Sequence, residues 1–76
     1  MEIKVLGTGC AGCTALYATV KQVVDELALD ANVTKEEDLM KIMEYNVMTL
    51  PALVVDGKVV AKGKLGAKEV KEVLTR

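Results

Sequence analysis

Asp56-Gly57 stands between two apolar runs, Ala52-Leu53-Val54-Val55 and Lys58-Val59-Val60-Ala61. A two-residue Asp-Gly link of this kind is the strongest short-range signal for a β-hairpin, because both linking residues must take positive φ and few pairs do so cheaply. The second half of the chain is thereby committed to an antiparallel pair, and every other element must be compatible with it. Pro51, the only proline, precedes the first run. Lacking an N–H, it suits the opening of a strand or the end of a helix. Gly63 and Gly66 interrupt the chain after the second run. About Ala67 to Leu74 then reads as a last helix, with Val70, Val73 and Leu74 inward and Lys68 and Glu72 spaced to pair across one turn.

Upstream, Ile3 to Leu6 reads as a strand interrupted by Lys4 and ending at Gly7. Gly7-Thr8-Gly9 reads as a flexible turn. A helix begins near Cys10 or Ala11, its stripe formed by Leu16, Val20, Val23, Val24 and Leu27, and fades near Leu29-Asp30. Ala31 to Lys35 is a weaker strand, with Val33 and Thr34 suited to a sheet. Glu36 to Tyr45 is expected to be a second helix. Glu36-Glu37-Asp38 would form its acidic first turn, and Leu39, Met40, Ile42 and Met43 its buried side. Asn46 to Leu50 connects it to Pro51. The order is β-α-β-α-β-β-α in one domain, residues 1–76. A parallel, right-handed first β-α-β unit and an antiparallel hairpin together imply an α/β fold, a mixed four-stranded sheet flanked by three helices.

Composition narrows the function classes. Hydrophobic residues are 51% of the chain, which argues against disorder. Tyr17 and Tyr45 are the only aromatics, so the core must be aliphatic. The net charge of −1, with no basic patch, makes nucleic acid a poor partner. No apolar run approaches the ~20 residues that span a membrane, and Met1-Glu2-Ile3-Lys4 opens no leader-like apolar region. A cytoplasmic location is the expectation. Lysines along the Lys58–Lys62 edge discourage edge pairing, so a monomer is expected.

In a reducing compartment a pair of cysteines is more often catalytic, sensing or metal-binding than structural. Cys10 and Cys13 flank Ala11 and Gly12 at a strand-to-helix turn. Cys10 falls at the helix N-terminal edge, where unpaired N–H groups and the helix dipole favour a thiolate. Cys13 lies about one turn further in, close enough to reach back and better shielded. Cys10 is therefore the expected nucleophile and Cys13 the resolving thiol. Ala11 and Gly12 are small and leave access open. Two other readings of the pair compete: a carrier of a soft ion such as Cu(I), held by the same two thiolates, and a module whose partner binding is switched by oxidation. The loop Gly7-Thr8-Gly9-Cys10-Ala11-Gly12-Cys13 looks like that of heavy-metal-associated domains, but it lacks their Met. Those domains also run β-α-β-β-α-β. Met40 and Met43, which with Met48 invite a metal reading, sit at helical spacing and read as core filler. Tyr17, one turn beyond Cys13, either covers the pair or packs on the sheet.

The Cys-x-x-Cys after strand one, the proline opening the hairpin and the glycine after it resemble thioredoxin and glutaredoxin folds. They resemble most the minimal redox-active disulfide proteins of archaea and bacteria, over about residues 3–75. The segment from Thr49 to Val60 carries much of the likeness. That resemblance implies a thiol–disulfide oxidoreductase whose only redox group is a Cys10–Cys13 disulfide, with no separate cofactor. It implies protein disulfide substrates and a reductase as partners. It implies that Leu50-Pro51 is cis, where proline alone would favour trans, and that it faces the cysteines. Leu50, Pro51 and Gly63 would then line the substrate groove, with Thr8, Gly9, Ala11 and Gly12 as the supporting loop. Gly9 replaces the family's tryptophan, and no proline separates the cysteines. Neither Glu2 nor Lys4 matches the buried acid of thioredoxin; Lys4 reads as a solvated strand residue. Lys64 and Lys68 occupy the region where glutaredoxins place acids, so no glutathione preference is implied.

Overall fold

The computed structural model describes residues 1–9, 11–63 and 65–75. The expectations placed on Cys10 and Lys64 lie outside these residues. The elements are β1 (Glu2–Leu6), α1 (Ala11–Glu26), β2 (Asn32–Glu36), α2 (Leu39–Glu44), β3 (Ala52–Val55), β4 (Lys58–Lys62) and α3 (Ala67–Leu74). The sheet order is β2-β1-β3-β4, with β1 and β2 parallel and the β1–β3 and β3–β4 pairs antiparallel. This is the expected order, and it differs from that of heavy-metal-associated domains. Asp56 and Gly57 take φ of 50° and 84°, the positive values that a tight hairpin turn requires. A bulge follows: Leu53 pairs with Ala61 but Val54 with Val59, leaving Val60 as the extra residue.

Alternation along the strands divides the core in two. Ile3, Val5 and Leu53 face α1 and α3, meeting Leu16, Val20, Val23, Val24, Val70 and Leu74. Leu6, Ala52 and Val54 face the other way and pack with Ile42 and Val47. Among the described residues every buried side chain is apolar. On the outside, Lys71 Nζ lies 2.9 Å from Glu26 Oε2 and ties α3 to α1. Hydrogen bonding and charge from Lys71 hold the Glu26 carboxyl below the usual carboxylate range.

The second helix departs from expectation. It is six residues long, and the acids precede it. Glu36 belongs to β2, because the parallel ladder runs on to pair Leu6 with Glu36. Asp38 is the N-cap, its carboxylate accepting from the Met40 N–H at 3.0 Å. Only Ile42 is buried. Met40 and Met43 are 75% and 62% exposed, so they are not core filler; Leu39 is 55% exposed and also faces outward. Residues 39, 40, 42 and 43 fall within an arc of about 160° of the helix, with Ile42 at one edge, and only that edge turns to the sheet. Tyr17 packs on the α1 face of the core and holds the ammonium groups of Lys35 and Lys21 at 5.0 and 5.6 Å from its ring centre. That is the sheet-packing alternative of the two.

Candidate active site

Register brings the sequence motifs to one end of the sheet. Leu6 ends β1 and pairs with Glu36 on one side and Ala52 on the other; Ala52 in turn pairs with Lys62. The next residues outward are Gly7, Pro51 and Gly63. Gly7 donates its N–H to the Glu36 carbonyl at 3.0 Å, and Gly63 donates to the Pro51 carbonyl at 2.7 Å. These bonds fix three loops side by side where the strands end. Gly7 is therefore no flexible turn: it is buried and continues the ladder.

From Gly7 the chain passes through exposed Thr8 and Gly9, the latter at φ 88°, into Ala11 at the start of α1. Cys13 lies in the first turn of α1, 3% exposed and disulfide-bonded. Its helix is anchored by Leu16, Val20 and Val23, which are buried against the sheet. Gly12 is half-buried, and a Cβ placed on it would stand 3.8 Å from Pro51 Cδ. The proline therefore packs directly beside the Cys-x-x-Cys turn. The Leu50-Pro51 bond is cis, as the resemblance implied and base frequency alone did not. Pro51 is buried, Leu50 half-buried, and Gly63 follows β4 at φ 84°.

Thr8, Gly9, Ala11, Gly12, Cys13, Leu50, Pro51 and Gly63 thus share one end of the molecule. Cys10, the expected nucleophile, is outside the described residues. Lys4 lies one face away, half-buried in a cavity of about 410 Å³ with Glu2, Tyr45, Val54, Asp56 and Gly57. The one contact that sequence reading missed is between Gly7 and Cys13. A Cβ at residue 7 would overlap Cys13 Sγ and stand 2.6 Å from Cys13 Cβ. The available signal was a glycine directly after β1, read as flexible when its function is to leave space.

Residues 1–75 match a family model described as the thioredoxin domain. The chain is 37% identical over 76 residues to a thioredoxin of Methanothermobacter thermautotrophicus, covering 99% of both chains. It is 38% identical over 73 residues to a thioredoxin of Methanocaldococcus jannaschii, covering 95% of this chain and 84% of the relative. Thioredoxin 1 from Thermosipho africanus TCF52B superimposes with a TM-score of 0.68 at 17% identity, over 100% of this chain and 92% of that one, which shows the fold. With a family match over nearly every residue and relatives this similar along their length, the chain belongs to the thioredoxin domain family of thiol–disulfide oxidoreductases.

Proposed function

We propose that Cys10 and Cys13 are the redox pair and that the chain reduces disulfides in partner proteins. The observation that carries this is a disulfide-bonded Cys13 buried in the first turn of α1, beside a cis-proline. Cys10 is the only other cysteine of the chain. The thiolate of Cys10 attacks one sulfur of the substrate disulfide. A Cys10–substrate bond forms, the substrate S–S bond breaks, and the departing sulfur takes up a proton. Cys13 then gives up its proton and attacks the Cys10 sulfur. The mixed disulfide breaks, the second substrate thiol leaves protonated, and a Cys10–Cys13 disulfide remains. Two electrons and two protons pass to the substrate. A dithiol reductase returns them, and no further cofactor is required.

Leu50, Pro51 and Gly63 form the groove that receives an extended substrate chain, with Leu50 supplying backbone hydrogen bonds. Thr8 and Gly9 before the helix, and Ala11 and Gly12, which belong to the first turn of α1 and not to the expected loop, are small and leave the nucleophile accessible. The chain works as a cytoplasmic monomer with protein disulfides as substrates. Neither the element order nor the relatives favour a soft-metal carrier built on the same thiolates. The test is a disulfide-reduction assay on Cys10→Ser and Cys13→Ser variants. Cys10→Ser loses activity and traps nothing, while Cys13→Ser accumulates mixed disulfides with substrate. Wild-type activity in Cys10→Ser overturns the assignment.

A further inference from the structure

Glycine usually marks a backbone that other residues resist, and neither usual reason holds at Gly7. Its φ is not among the positive ones, which fall at Gly9, Gly57 and Gly63. Its N–H is committed to Glu36, so the position is an extension of β1 rather than a free turn. What it lacks is room. A Cβ there would overlap Cys13 Sγ and lie 2.6 Å from Cys13 Cβ, while a Cβ at Gly12 would make only an ordinary 3.8 Å contact and those at Gly9 and Gly63 would meet nothing within 4 Å. Of these four glycines, only Gly7 is demanded by the volume of a cysteine.

We propose that Gly7 is a positioning residue of the redox pair: its bare Cα is the seat of the Cys13 sulfur, and this seat sets how far the equilibrium favours the disulfide. The inference rests on Cys10–Cys13 being that pair. In the disulfide the Cys13 sulfur is held by its bond, and it cannot step aside unless α1 moves; Leu16, Val20 and Val23 pin that helix in the core. In the dithiol the same sulfur can turn to another staggered position about its Cα–Cβ bond. A methyl group on residue 7 therefore opposes the oxidised form more than the reduced one. The Cβ–Cβ crowding is common to both forms; it lowers stability in each and cancels from the redox equilibrium.

The experiment equilibrates wild type and Gly7→Ala with stepped ratios of glutathione to its disulfide, then counts free thiols by alkylation and mass. The reaction measured is dithiol plus glutathione disulfide giving protein disulfide plus two glutathiones. Gly7→Ala lowers the constant for protein disulfide formation at least tenfold, about 30 mV toward a more oxidising couple. A Leu53→Ala control lowers the melting temperature and leaves the constant in place. Constants for wild type and Gly7→Ala within twofold of each other overturn the inference, as does an equal shift in Leu53→Ala. A wild-type chain that does not exchange with glutathione disulfide overturns the parent reading instead. If oxidised Gly7→Ala does not fold, the reduced variant and Gly7→Ala/Cys13→Gly decide. Cooperative melts in both support the seat; an unfolded double variant overturns it, since neither the sulfur nor the Cβ of residue 13 is then present to collide.

Discussion

The two faces of the sheet are covered very differently. On one, the 16-residue α1 and 8-residue α3 lie against Ile3, Val5 and Leu53 and against each other. On the other, the 6-residue α2 contributes one buried side chain, Ile42. Six residues of helix extend only about 9 Å, while the four- and five-residue strands beneath, β3 and β1, extend about 13–16 Å. The uncovered remainder is the cavity lined by Glu2, Lys4, Tyr45, Val54, Asp56 and Gly57. It opens at the Asp56-Gly57 end of the sheet, away from Cys13. The difference teaches that the end holding Cys13 has a long, well-packed helix behind it and only a thin layer on the reverse. The side chain that must be held, Cys13, belongs to the thickly covered face.

Four substitutions probe this asymmetry. The largest effect is expected from core truncation, compared across the faces. Leu53→Ala and Ile42→Ala each empty a fully buried site, and such changes cost about 2–5 kcal/mol. Leu53 should fall at the upper end and Ile42 at the lower, because the smaller cluster under α2 can collapse around the gap. Denaturant titration checks this, and equal losses would break the comparison. A smaller effect is expected from Asp38→Ala. The cap is the carboxylate bond to the Met40 N–H, and its loss should cost about 1 kcal/mol. Amide exchange in α2 should quicken while α1 keeps its protection. The smallest effect is expected from Lys71→Ala on the thickly covered side. The folded-state pKa of Glu26 is depressed by Lys71. The ion pair therefore stabilises the fold above the unfolded carboxylate pKa and is lost as pH falls through the lower folded value. Lys71→Ala should melt slightly below wild type at neutral pH and together with it in acid. The pair is exposed, so salt should also narrow the gap.

Much of this architecture is legible because its signals are local. Asp56-Gly57 carries its turn in its own φ preferences, and the stripe from Leu16 to Val24 is long enough to show a helical period. The α2 region fails for the complementary reason. Leu39, Met40, Ile42 and Met43 mark a helix and one broad face of it without marking how much of that face is covered, since that depends on how much sheet lies opposite. Glu36 was drawn out of the helix by a ladder partner, Leu6, thirty positions away. At the site, the spacing of Cys10 and Cys13 is readable as chemistry. The cis state of Leu50-Pro51 is not readable from local sequence and came only through resemblance. The space at Gly7 was invisible for the same reason as α2: a glycine reports only that a side chain is missing, and the neighbour that needs the room, Cys13, is set by the fold.

The wholly apolar interior of the described residues separates two responses that acid and base usually mix. With no ionisable side chain but that of Cys13 sealed among those residues, changing proton concentration moves little inside the fold beyond the thiols themselves. A curve of reduction rate against pH can then be read as the titration of the thiols, once the small loss of the exposed Glu26–Lys71 pair in acid is allowed for.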